Sequence, residues 1–438
     1  MEQVDTLIHA RWLIPIEADK PLLENHSLAI KAGRIHDILT TRDARQRYQA
    51  KDEFTLEQHA VLPGLVNAHG HAAMSLFRGM ADDLQLMTWL NDHIWPAEGK
   101  WVSESFVHDG SELAMAEMLL SGTTCFADMY FFPNVTASLA EKVGIRACVG
   151  MIVIDFPTVW AKSADEYIQK GLNLHQQVES MPLVKTSWAP HAPYTVSDAP
   201  LAKIAELSEQ LDVPIQIHVH ETAFEVSESE KQLGMRPLAR LKNLDLLSPR
   251  LLTVHMTQLL PSEIEEIATA GVHVAHCPES NMKLASGACP VETLLEAGVN
   301  VALGSDGAAS NNDLDLFGEM HSAALLGKLT AGDAAAVSAH SALRMATLNG
   351  AKALGLGHEI GSLKIGKAAD VIAVDMGHLL SQPIYNPISH LVYANRRNHV
   401  SHAWVAGNTL VADGQLLTID SEALSKKCQA WQNKVQNH

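Results

Sequence analysis

One local pattern recurs along this chain: a short apolar run that stops on a polar, chemistry-bearing side chain. The first clear case is Leu62-Pro63-Gly64-Leu65-Val66-Asn67-Ala68-His69-Gly70-His71. In an extended strand, residues i and i+2 share a face, so His69 and His71 project side by side. Two imidazoles converging at the end of a buried strand begin a divalent-metal site. Later runs stop at His191, at His218 and His220, at His255, at His276 and at Asp306. Helical patterns lie between them, as at residues 107–121, where Leu113, Met115, Met118 and Leu119 supply an apolar face. Repeated strand–helix units predict a parallel sheet. About eight units over about 300 residues fit a (β/α)8 barrel of the TIM type. A doubly wound open sheet is the competing fold. Against it, no Gly-x-Gly-x-x-Gly follows the first strand, and the polar residues sit at many strand ends rather than at one crevice.

Outside residues 61–363 the pattern is strands alone. Thr6-Leu7-Ile8-His9-Ala10, Trp12-Leu13-Ile14-Pro15-Ile16, Ser27-Leu28-Ala29-Ile30 and Ile35-His36-Asp37-Ile38-Leu39 alternate or run apolar, with Lys31-Ala32-Gly33-Arg34 as a hairpin turn. Val371-Ile372-Ala373-Val374, residues 400–405 and Thr409-Leu410-Val411 predict more strands after the barrel. Residues 1–60 and 364–438 are therefore expected to combine into one small β-sandwich domain.

The formal charge of −18 and the lack of any Lys/Arg-rich run exclude nucleic acid as an expected partner. No segment reaches the roughly 20 apolar residues of a membrane span. The start, Met1-Glu2-Gln3-Val4-Asp5, is acidic where a signal peptide is basic. Five widely spaced cysteines, with no Cys-x-x-Cys, read as free thiols in a reducing cytoplasm.

Taken along the chain, the strand ends spell His-x-His, His, His and Asp: His69 and His71, His218 with Glu221 nearby, His255, and Asp306. This order resembles the amidohydrolase superfamily of metal-dependent barrel hydrolases. Flanking words resemble its 5′-methylthioadenosine/S-adenosylhomocysteine deaminase branch: Trp95-Pro96-Ala97-Glu98, Pro190-His191-Ala192-Pro193-Tyr194, His276-Cys277-Pro278-Glu279-Ser280-Asn281 and Ser305-Asp306-Gly307-Ala308-Ala309-Ser310-Asn311-Asn312. The resemblance spans essentially the whole chain. It implies one divalent metal, zinc by analogy with iron or manganese as alternatives, held by His69, His71, His218 and Asp306. It implies catalysis by Asp306 holding a proton of the attacking water, His255 orienting that water, and Glu221 protonating the ring nitrogen. Glu98 is assigned to ribose hydroxyls and His191 to the nucleoside, with Glu221 and Asp306 also facing the substrate. A homodimer or larger homo-oligomer is expected. Lys185 lies six residues before His191, ~20 Å of extended strand, too far to bridge a second metal. His220 and His276 keep open roles, and Cys277 reads as packing.

Members that accept S-adenosylhomocysteine carry arginines soon after the Gly-x-Arg-Ala strand. Here Gly144-Ile145-Arg146-Ala147 is present, Met151 stands where an arginine is expected, and no arginine occurs from Ala147 to Met235. The expected activity is deamination of 5′-methylthioadenosine to 5′-methylthioinosine and ammonia, with adenosine slower and S-adenosylhomocysteine poor. Guanine or cytosine deamination, triazine dechlorination and a non-catalytic scaffold are the alternatives.

Overall fold

The computed structural model describes residues 1–17, 21–394 and 399–436. Four strands come first: β1 (Glu2–Leu13), β2 (Leu23–Lys31), β3 (Arg34–Thr40) and β4 (Tyr48–Pro63). The two N-terminal runs expected as separate strands fuse into β1, and β4 is a strand the sequence analysis did not single out. Eight parallel strands follow: β5 (Leu65–Asn67), β6 (Thr123–Asp128), β7 (Arg146–Val153), β8 (Val184–Pro190), β9 (Ile215–Val219), β10 (Leu251–His255), β11 (His273–His276) and β12 (Asn300–Leu303). The last four are β13 (Val371–Asp375), β14 (Val400–Val405), β15 (Asn408–Ala412) and β16 (Gln415–Leu416).

The eight parallel strands form the barrel. Ala68 N donates to Leu303 O at 2.9 Å and Asp306 N to His69 O at 3.2 Å, joining the first strand to the last. Gly304 permits this closure, because a Cβ there would fall 2.9 Å from the His69 Cβ. Val66, Cys125, Cys148, Val254 and Ala275 fill the interior, where small side chains suit a narrow barrel.

The opening apolar run proves to serve both sheets. Leu62 and Pro63 finish β4, Gly64 turns the chain, and β5 begins at Leu65. A side chain at Gly64 would overlap Thr124, so the crossing needs glycine.

The first four and last four strands make one sheet, ordered β16-β15-β14-β13-β4-β1-β2-β3. Only β1 and β4 pair in parallel. The sheet curls: the turn after β2 meets the turn after β14, with Ala369 bonding both Gly33 O (2.9 Å) and, through its carbonyl, Gly407 N (3.0 Å). Ile8, Leu28, Ile30, Val371 and Trp404 share the enclosed core.

The C-terminal region is not strands alone. Helix Ser421–Gln436 leaves the sheet and packs on barrel helix Glu104–Leu120. Trp431 meets Phe106 edge-on at 5.2 Å and donates to Asp109 at 2.9 Å. Its buried Leu424 and Trp431, seven residues apart, form a one-sided apolar stripe, which requires a partner surface. Among the described residues, no helix is long and apolar enough to cross a membrane.

Candidate metal centre and active site

The barrel delivers its polar strand ends to one place, the C-terminal mouth. His69 and His71 follow β5, His218 lies near the end of β9, His255 ends β10, and Asp306 follows β12. Ligand atoms of His69, His71, His218 and Asp306 all lie within 4.8 Å of one another. The Nε2 atoms of His69 and His218 are 3.1 Å apart, and Asp306 Oδ1 lies 3.1 Å from His71 Nε2 and 3.6 Å from His69 Nε2. Four donors at ~2.1 Å from a tetrahedral ion are about 3.4 Å from each other, so these spacings suit such a site.

The outer atoms decide the protonation of the inner ones. His71 Nδ1 bonds Met129 O at 2.7 Å and His218 Nδ1 bonds His191 O at 2.7 Å. His69 Nδ1 faces Gln216 Oε1 at 3.3 Å, and Gln216 is oriented by its own bond to Ser187 at 3.0 Å. Each acceptor holds the proton on Nδ1 and leaves a lone pair on Nε2. Two facing lone pairs at 3.1 Å repel unless a cation or a shared proton lies between them. Asp306 is arranged to match: Ser280 and Ser310 both donate to Oδ2 at 2.7 Å, leaving Oδ1 for the histidines. The donor set therefore fits a divalent metal. Burial opposes charge on Asp306, but the His69 and His71 imidazoles beside its Oδ1 outweigh it and hold its pKa well below the usual carboxylate range. Burial pushes His218 well below its ordinary value, so it stays neutral as a ligand must.

Around this centre the other expected residues assemble. His255 Nδ1 bonds Asn281 Oδ1 at 2.8 Å, which leaves Nε2 facing inward, 3.8 Å from Glu221 Oε2. Burial, reinforced by the Asp306 charge, lifts Glu221 to about 8, and Ser286 donates to its Oε1 at 3.2 Å. His191 bonds Thr195 through Nδ1 at 3.0 Å, and burial among other imidazoles depresses it to about 3. Glu98, on helix Trp95–Trp101, accepts from Tyr130 OH at 2.7 Å, and burial raises it to about 7. His220, His255 and Asp306 all adopt left-handed backbone, at φ 54°, 75° and 59°. Such non-glycine strain persists where the surroundings enforce it.

A cavity of about 250 Å³ opens above the centre. His71, His191, His218, Glu221, His255 and Asp306 form its polar floor, and Glu98 enters from one side. Trp89, Trp95, Ile152, Ile154, Phe156 and Val159 make an apolar wall, and among the described residues no lysine or arginine lines it.

The structure moves Met151 off the cavity wall and fixes where His220 and His276 lie. Met151 does not face the cavity; a side chain on Gly171 of helix Ala164–Val178 would meet its Cβ at 3.0 Å. Strand alternation turns Ile152 and Ile154 inward instead. His220 does not follow His218 into the pocket, because its left-handed backbone ends the alternation. Its Nε2 accepts from Leu238 N at 3.2 Å, on the far side. His276 is buried with neither ring nitrogen bonded and does not line the cavity. Burial raises the Cys277 thiol well above its usual pKa, which suits packing. Lys185 is exposed at the start of β8, remote from the mouth.

Several supporting groups escaped the sequence reading: Gln216, Tyr130, Ser280, Asn281, Ser286 and Ser310. Gln216 was reachable in principle, since it lies two residues before His218 on the inward face. Ser280, Asn281 and Ser310 sat inside recognised words without an assigned partner.

With this geometry established, comparison with known proteins is informative. The sequence model of the Amidohydrolase family matches residues 60–410. A 5-methylthioadenosine/S-adenosylhomocysteine deaminase of Teredinibacter turnerae is 51% identical over 432 residues, covering 99% of this chain and 98% of its own. A crystal structure of a Xanthomonas campestris adenosine deaminase with bound zinc superimposes with a TM-score of 0.99 at 48% identity, covering all of both chains. The zinc complex of atrazine chlorohydrolase from Arthrobacter aurescens reaches a TM-score of 0.90 at 23% identity, covering 97% of this chain and 99% of its own, and shares the fold.

Proposed function

The chain belongs to the amidohydrolase family, and from that premise we propose that it is a zinc-dependent deaminase of adenine nucleosides. The carrying observation is one cavity that joins a four-donor metal centre to His191, Glu221 and His255 on its floor, Glu98 at its side, and a wall that holds no cation among the described residues. The two relatives near 50% identity, named for adenine-nucleoside deamination, support the substrate class. Three nitrogens and one carboxylate suit zinc, and the Xanthomonas relative binds it.

When bound, the metal lowers the pKa of a water from 15.7 to roughly 7 and so supplies a nucleophile at neutral pH. The chain's own residues do the rest. Asp306 Oδ1 and His255 Nε2 both face the centre and accept hydrogen bonds that orient the attacking oxygen. Glu221, protonated at neutral pH, donates to the ring nitrogen next to the amino-bearing carbon and makes that carbon electrophilic. Asp306 passes the proton it took from the attacking water to the departing amine, which leaves as ammonia, and Glu221 takes back a proton from the added oxygen as the carbonyl forms. Neutral His191 offers Nε2 to the nucleoside, and Glu98, held by Tyr130, accepts the ribose hydroxyls.

The wall selects the 5′ substituent. Trp89, Ile152, Ile154 and Phe156 favour a neutral methylthio group, and among the described residues no guanidinium or ammonium lines the wall to meet a zwitterionic tail. The preferred substrate is 5′-methylthioadenosine, with adenosine slower and S-adenosylhomocysteine poor. An ammonia-release screen of these three with guanine and cytosine tests the reading. A kcat/KM for S-adenosylhomocysteine equal to or above that for methylthioadenosine overturns the ranking, and turnover of guanine or cytosine alone overturns the substrate class.

A further inference from the structure

Glu225 belongs to no step above, yet its carboxyl is buried against the catalytic loop. It occupies the first turn of helix Ala223–Leu233, whose N-cap Thr222 accepts from Glu225 N at 3.2 Å. A threonine followed three residues later by glutamate ordinarily closes a capping box, with the glutamate returning to the N-cap backbone N–H. Here it reaches further back. Glu225 Oε1 accepts from His220 N at 3.1 Å and Oε2 from Glu221 N at 2.8 Å. Both oxygens are thus spent on consecutive backbone donors, at a helix N-terminus that favours negative charge.

Those two residues are where the strand alternation breaks. Had β9 continued, His220 would face the barrel axis beside His218. The left-handed backbone of His220, φ 54°, sends its ring to Leu238 N and presents Glu221 to the cavity instead. A left-handed non-glycine residue is strained and needs support. Glu225 supplies it from the amide side, and Thr257 Oγ1 from the carbonyl side, bonding Glu221 O at 2.7 Å.

We propose that Glu225 is a positioning residue: its carboxylate bridges the His220 and Glu221 amides and thereby aims the Glu221 carboxyl at the substrate. This rests on Glu221 being the proton donor.

The test is a double-mutant cycle of Glu225→Gln, Glu221→Gln and the pair, read as kcat, KM and metal content of the zinc enzyme. Glutamine can accept through one oxygen only, and its NH2 opposes the second amide. Glu225→Gln is expected to retain metal, keep KM within about threefold and lower kcat about 10²-fold. The pair is expected to be no slower than Glu221→Gln alone, because a group that acts through another adds nothing once that other is gone. The proposal is overturned if kcat stays within about threefold, if the two losses multiply, or if metal and KM fail together with kcat. Should Glu225→Gln not fold, Glu225→Asp, which keeps the charge but is one methylene short of bridging both amides, takes its place in the same cycle. Full turnover by Glu221→Gln would instead overturn the proton-donor assignment beneath the proposal.

Discussion

Two buried aspartates mark opposite ends of the barrel, and they are satisfied in opposite ways. Asp370, at the small-sheet end, accepts from Arg146 Nε at 2.8 Å, Arg146 Nη2 at 3.1 Å and Ala406 N at 2.8 Å. Burial works against the Arg146 charge, and the Asp370 carboxylate beside it more than compensates. This bidentate pair ties the start of β7 to the residue preceding β13, and the chain supplies both charges itself. Asp306, at the mouth, has two serine hydroxyls on one oxygen and only imidazoles before the other. Its surroundings are complete only with a cation from outside. The closed network holds the fold together, while the open one is left to bind and react.

Chelation gives the largest contrast. Removing the metal is expected to abolish ammonia release and lower Tm, and zinc should restore both. A chelator that left turnover intact would break the distinction between the two ends. Next comes Glu221→Gln, expected to cut kcat about 10²- to 10⁴-fold with metal retained, as measured by steady-state kinetics and metal analysis. The same acid sets a pH limb. Glu221 must be protonated to donate, and its pKa is lifted to about 8, so kcat/KM should hold below that value and fall as pH rises through it. A pH profile without that descending limb would argue against Glu221 as the donor. Smaller is the pair Ser280→Ala and Ser310→Ala, which frees Asp306 Oδ2. Metal affinity should weaken about 10- to 100-fold in a competitive chelator titration. Smallest for catalysis is Arg146→Met. Leaving Asp370 buried without its partner should cost about 3–5 kcal/mol of stability in a denaturant melt, with kcat per folded molecule unchanged. A kcat loss there would show that the two ends are coupled.

The metal ligands were legible because strand alternation and strand ends leave a trace in sequence: His69, His71, His218 and Asp306 each terminate or follow an apolar run. Met151 shows where that reading fails. The missing arginine is visible in sequence, but the wall position is misassigned by one residue, and in a strand one residue reverses the face. Gly64 shows a second failure: a continuous apolar run carries no sign that a sheet boundary crosses it.

The sequence by itself determined the barrel, the joining of both chain ends and a set of strand-end candidates for a metal, because these follow from local periodicity and side-chain chemistry. Tertiary structure decided which strand-end histidine works. His218 and His220 are alike in sequence, and only the left-handed turn held between Glu225 and Thr257 sends one to the metal and the other behind Leu238. That choice depends on hydrogen bonds from residues up to 37 positions away, which local pattern does not encode.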